Sequence, residues 1–149
     1  MKVQRADKPW GYELLLARTE RYAGKLLCIQ AGQRLSLQHH TVKDETLILL
    51  EGETELEIDT GRRTRRRMAK DRSYRVQAGR KHRLTALTDA RVLEVSTPEI
   101  EDVVRWEDDY GRVPAPGPLH QLPSGRGSSV REQDRPPIHS SDLGPGGSK

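Results

Sequence analysis

Residues 32–52 read GQRLSLQHHTVKDETLILLEG, and three signals overlap in them. From Gly32 onward, Arg34, Ser36, Gln38 and His40 recur at period two, interleaved with Leu35, Leu37 and His39. In a strand, the first set shares one face and His39 turns to the other. Thr46 to Leu50 is a strand-sized apolar run that ends at the turn Glu51-Gly52. Gln38, His40 and Glu45, joined by the distant His82, are also the residue types that hold a borderline divalent metal: one amide oxygen, two imidazoles and one carboxylate. Gln38 and His40 can reach one ion because they are two apart on a strand, Glu45 follows after a short turn, and His82 comes from a different strand. Such an ion would staple non-local parts of a sheet together.

The same alternation spreads outward from this segment. Tyr12 to Leu16 and Lys25 to Gln30 are short apolar runs bounded by Gly11, Gly24 and Ala31-Gly32. Thr54, Leu56 and Ile58 alternate up to Asp59-Thr60-Gly61, so Glu51-Gly52 reads as a hairpin turn followed by a second tight turn. Tyr74 to Gln77, His82 to Leu87 and Arg91 to Ser96 repeat the pattern, separated by Ala78-Gly79 and Thr88-Asp89. Only Glu99 to Trp106, close behind Pro98, reads as a short helix. Many short strands with frequent turn signals predict an all-β sandwich or small barrel.

Composition bounds the size of that barrel. The chain has 149 residues, is 33% hydrophobic and 32% charged, and contains no Phe, so its core is built on Leu, Ile and Val. Seven of the nine prolines lie beyond Arg112. Residues 113–149 therefore read as a Pro/Gly/Ser-rich disordered tail, and residues 1–112 as one domain with an N-terminal arm. No apolar run approaches the roughly 18 residues that span a bilayer. A lone Cys28 and a start with no apolar signal stretch lead us to expect a cytoplasmic, reducing location. The basic run Arg62, Arg63, Arg65, Arg66, Arg67, Lys70, Arg72 lacks interleaved aromatics. It reads as a solvated edge that blocks strand-to-strand pairing before it reads as a nucleic-acid surface.

Gly32, Gln38-His39-His40, Glu45 and Gly52, with Gln77-Ala78-Gly79-Arg80-Lys81-His82 further on, resemble the two signatures of the cupin superfamily. Gln38 stands where many members have a first His, and Gln77 where proline is usual. Within it the chain most resembles the C-terminal cupin domain of type II phosphomannose isomerases and the small stand-alone cupins named for it. That likeness runs from Lys8-Pro9-Trp10-Gly11-Tyr12-Glu13 to Glu107-Asp108-Asp109-Tyr110-Gly111-Arg112. It implies a double-stranded β-helix barrel, and Gln38, His40, Glu45 and His82 as ligands of a divalent metal. Zn is the first expectation, with Mn, Co, Ni or Fe as alternatives. Lys43 stands where the bifunctional enzymes carry Arg, which keeps the charge but loses the planar fork.

The activity so implied is metal-dependent isomerisation of an aldose to a ketose, on a sugar or sugar phosphate. Lys25 is the candidate base, since a partly desolvated lysine can titrate near neutrality. Which of Lys25 and Leu26 faces inward is open from sequence. Arg34, Ser36 and Lys43 are candidate substrate-binding residues within the pocket, and Arg83 is one at its rim. The alternative is a metal-containing cupin that binds a sugar without turning it over; an iron-dependent oxygen-using cupin is disfavoured by Gln38. A Phe-free barrel of this size is expected to be a homodimer, paired through an edge strand or the Pro9-Trp10-Gly11 arm.

Overall fold

A computed structural model describes residues 2–113. The expected tail over 113–149 lies, apart from Val113, outside the described residues. In chain order the strands are β1 (Gln4–Lys8), β2 (Gly11–Arg18), β3 (Ala23–Ile29), β4 (Leu37–His39), β5 (Glu45–Glu51), β6 (Thr54–Asp59), β7 (Arg63–Arg67), β8 (Ser73–Val76), β9 (Lys81–Ala86), β10 (Ala90–Ser96) and β11 (Val104–Glu107). They form a six-stranded sheet in the order β1-β2-β3-β10-β5-β8 and a five-stranded sheet in the order β11-β4-β9-β6-β7. Every pairing between these strands is antiparallel.

The inner faces carry a gradient set by alternation. Along β3 the inward residues run Lys25, Leu27, Ile29; along β10 they run Glu94, Val92, Ala90; along β5, Glu45, Leu47, Leu49; along β9, His82, Leu84, Ala86. Antiparallel register brings the apolar ends together with Trp10, Leu56, Met68, Tyr74 and Val76 as the core. The polar ends come together at the opposite mouth. One end of the barrel is thus packed for stability, and the other is left to ionisable groups.

Two local expectations are corrected. Glu51-Gly52 does not close a hairpin: β5 and β6 lie in different sheets, and the chain crosses between them there. Gly52 makes this passage because its φ is +79° and a Cβ would overlap the Asp89 carbonyl oxygen. The helix expected over Glu99 to Trp106 is a short turn followed by edge strand β11, which pairs with β4. The described residues contain no helix. Tertiary pairing overrides the weak helical preference that Pro98 suggested. Trp10, in the Pro9-Trp10-Gly11 arm, is only 4% exposed and packs into the core of its own chain.

The basic run contributes strand β7, an exposed edge paired to β6. Arg65 Nε lies 2.7 Å from Glu57 and Arg67 2.9 Å from Glu53, while Arg63 pairs with Glu107. These arginines are answered by acids on the same sheet. A phosphate backbone would have to displace those acids.

Candidate metal centre and cavity

Three side chains converge at the polar mouth. His40 follows β4, Glu45 opens β5 and His82 stands second in β9; all are buried, and their ligand atoms lie within 4.8 Å of one another. The two imidazoles face the carboxylate, with His82 Nε2 2.9 Å from Glu45 Oε1 and His40 Nε2 3.3 Å from Glu45 Oε2. On the far side of each ring, Nδ1 meets a backbone carbonyl: Arg80 O at 2.9 Å for His82, and Asp102 O for His40. A carbonyl only accepts, so each Nδ1 carries a proton. Nε2 is then a lone pair aimed at a carboxylate unless it too is protonated. A proton on Nε2 or a metal ion would reconcile this arrangement, beside the Lys43 ammonium that already stands 2.6 Å from Glu45 Oε2.

The polar atoms fit an ion. His40 Nε2 is buried and makes no other polar contact than Glu45 Oε2 at 3.3 Å, an oxygen that Lys43 Nζ also approaches to 2.6 Å. Imidazoles fixed through Nδ1 by backbone carbonyls are the usual support of metal-ligating histidines. Burial would push the Glu45 carboxyl up, but the adjoining imidazoles of His40 and His82 and the positive charge of Lys43 outweigh it and hold it well below the ordinary carboxylate range. Gln38 pairs in register with His82 and, with Glu45 and His82, lines a void of about 10 Å³, the size of one water or ion. Its Oε1 accepts a hydrogen bond from Ser36 Oγ at 2.7 Å, which fixes the amide and leaves the oxygen a second lone pair. His39 points away, as alternation requires, and its Nδ1 accepts from Trp106 Nε1 at 2.8 Å.

Next to this void lies a cavity of about 350 Å³. Ser36, Gln38 and Glu94 line both spaces, so the ligand trio sits behind the cavity wall and not along it. Lys25 faces inward, Leu26 outward; Lys25 stands opposite Glu94 on the neighbouring strand, with Nζ 3.5 Å from Glu13. Lys43 is buried, with Nζ 2.6 Å from Glu45 and 2.9 Å from Glu94. Burial would lower its pKa, yet the two carboxylates raise it overall, so Lys43 remains an internal cation. Arg105, whose Nε is buried without a partner, lines the cavity too.

Two substrate candidates lie elsewhere. Regular pairing covers only Leu37 to His39, so the alternation does not carry Arg34 into the cavity; its guanidinium forks onto Asp109 at 2.6 and 2.7 Å. Arg83 is 2% exposed, reaches Glu107 at 3.4 Å and borders the small void beside Gln38, Glu45 and His82, so it is buried and not at a rim. Sequence reasoning passed over Glu13, Glu94, Arg105 and Asp102. The Asp102 carboxylate accepts from the amides of Thr41, Val42 and Lys43 at 2.7 to 3.0 Å, and its carbonyl orients His40. Burial opposes ionisation of Asp102, but those three amides outweigh it and push its pKa far down.

The two-sheet fold with ligands converging at one mouth defines a cupin with a buried His/Glu/His site able to hold a metal ion. Residues 1–108 match the family described as Mannose-6-phosphate isomerase C-terminal, and the chain belongs to that family. Among solved structures it is similar to KdgF from Halomonas sp., at 18% identity and a TM-score of 0.58 over 68% of this chain and 92% of that one. It is also similar to the capsular polysaccharide assembling protein CapF from Staphylococcus aureus, at 13% identity and a TM-score of 0.60, covering 72% of this chain and 32% of that one. A third is oxalate decarboxylase from Bacillus subtilis, at 15% and 0.60, covering 69% and 30%. The chain thus spans about a third of the last two proteins. At these identities the likeness is one of fold. No curated protein matches the chain in sequence.

Proposed function

We propose that this cupin is a metal-dependent isomerase that interconverts an aldose and a ketose, on a sugar or sugar phosphate. The observation that carries the reading is the meeting of a buried ligand trio with a polar cavity through Glu94, which borders both. His40, Glu45, His82 and Gln38 would hold the ion, which supplies Lewis acidity toward the substrate's carbonyl oxygen. Lys8, Lys25, Lys43, Arg105 and Arg112 outnumber Glu13, Glu94 and Glu101 in the cavity lining, which suits an anionic ligand, with the unpartnered Arg105 as its first anchor. Isomerisation moves one proton between adjacent carbons and one between their oxygens. The Glu94 carboxylate, 2.9 Å from Lys43 Nζ, takes the proton from the hydroxyl-bearing carbon and returns it to the former carbonyl carbon. The Lys25 ammonium, across from Glu94, gives a proton to the carbonyl oxygen and regains one from the neighbouring hydroxyl. A second reading, a cupin that binds the same ligand without turnover, is favoured by the ion pairs that engage both groups, Glu94 with Lys43 and Lys25 with Glu13.

The test has two parts. Elemental analysis of the full chain should find about one divalent metal per chain, lost in His82→Ala. Nuclear magnetic resonance in deuterated water should then show deuterium entering the carbon beside the carbonyl, with Glu94→Gln keeping its metal but losing about 10²- to 10⁴-fold of that rate. Metal without exchange on any aldose or aldose phosphate would favour the binding reading. Absence of metal after reconstitution would overturn both.

A further inference from the structure

Lys43 reaches inward from the loop between β4 and β5, and its side chain is only 3% exposed. Its Nζ stands 2.6 Å from Glu45 Oε2 and 2.9 Å from Glu94 Oε1. Those two acids share the inner face of adjacent strands: Glu45 pairs with Ser96, two residues along β10 from Glu94, so the carboxylates are diagonal neighbours. Two carboxylates buried this close need a cation, and a buried ammonium needs acids. The contact with Glu45 is the notable one, because that residue belongs to the ligand trio. Each of its oxygens faces an imidazole, His82 Nε2 at 2.9 Å and His40 Nε2 at 3.3 Å, yet the ammonium lies closer than either.

We propose that Lys43 is an internal counter-ion that neutralises Glu45 when no metal is bound and competes with an arriving divalent cation for that carboxylate. The proposal rests on the reading of the trio as a metal site. A cation that binds Glu45 must share Oε2 with the ammonium or displace it, and two cations so close repel each other strongly where water is excluded. Displaced, Lys43 keeps Glu94 as a partner on the cavity side, so the exchange costs it one contact and not both. The opposite role, a scaffold that orients Glu45 for the metal, is less well supported. Glu45 is already fixed as the first residue of β5, paired on one side with Val76 and on the other with Ser96, and both its oxygens meet imidazoles. The loop before it is held by the Asp102 carboxylate through the Lys43 amide, which does not involve the Lys43 side chain. The two roles differ in sign: loss of a scaffold weakens metal binding, and loss of a competitor tightens it.

Titration of the full chain with Zn²⁺ against a chromophoric chelator, beside thermal melting in excess chelator, tests that sign. Lys43→Met, uncharged and similar in length, should bind Zn²⁺ about 10- to 100-fold more tightly than the wild type. In chelator it should melt below the wild type, because Glu45 and Glu94 are left without their cation. Zn²⁺ should then raise its melting temperature by more than it raises that of the wild type. A Lys43→Met chain that folds only with Zn²⁺ present would support the proposal in the same way, the metal replacing the lost charge. If that chain folds under neither condition, Lys43→Gln, neutral and able to donate to both carboxylates, carries the titration. A neutral variant that binds Zn²⁺ no more tightly than the wild type, or that melts with it in chelator, overturns the role given to Lys43 and leaves the metal site standing. Zn²⁺ bound by the variant but not by the wild type would be the competition carried to completion. Zn²⁺ bound by neither would overturn the metal reading itself, and this proposal with it.

Discussion

One carboxylate, Asp102, organises the loop that carries the metal-type ligands. It accepts three consecutive backbone amides while its own carbonyl holds His40. Asp102→Ala should cost about 2–4 kcal/mol in urea unfolding at pH 7, since it strands three amides that bonded to a charge. By loosening His40 it should also weaken metal binding about 10- to 100-fold in a competition titration. The pH dependence has a definite sign. The folded pKa of Asp102 lies below its unfolded value, so its stabilisation is present above about pH 4 and is lost as pH falls toward the folded value. The gap between wild type and Asp102→Ala should therefore narrow on acidification from pH 7. Asp102 was not legible in sequence, because its partners lie about sixty positions away and no motif spacing links them. Glu94 and Arg105 were hidden for the same reason. His40, Glu45 and His82 were legible because spacing along short strands fixes which way a side chain points. Arg34 misled because a strand of only three residues does not extend its alternation that far.

At the level of elements, alternation located the central strands to within a residue or two. It did not tell which sheet each would join. Thr54 to Ile58 shows the right face, yet nothing in the turn Glu51-Gly52 distinguishes a hairpin from a crossing between sheets. The basic strand β7 was hidden for another reason: its five residues Arg-Thr-Arg-Arg-Arg are exposed and have no apolar face to alternate. Its pairing depends on acids of β6 that only register reveals. The crossing makes a direct prediction. Gly52→Ala should cost at least about 2–3 kcal/mol, from positive φ together with overlap on a backbone carbonyl. Gly61→Ala, with φ +95° but open space around it, should cost only about 1 kcal/mol. Parallel urea titrations measure the difference, which isolates the overlap.

Taken as a whole molecule, the barrel divides its interior between an apolar end and an ionisable end. The ligand trio joins the two sheets at the ionisable end, since Glu45 belongs to one and His82 to the other. A bound ion should therefore act as a global staple. Saturating metal at about 100 times its dissociation constant adds roughly 2.7 kcal/mol. For a domain of this size that should raise the melting temperature by about 10 °C. Calorimetry with and without a chelator should show this shift in the wild type and none in His82→Ala. The place of Asp102 in the chain also has a consequence for biosynthesis. Ribosomes release the chain from its N-terminus, so all four proposed ligands emerge before the residue that aligns His40. A nascent chain halted at residue 96 would have every strand up to β10 but no clamp on the loop. The trio is fully aligned only when the segment after β10 arrives, which would make any metal capture a late event in the birth of the protein.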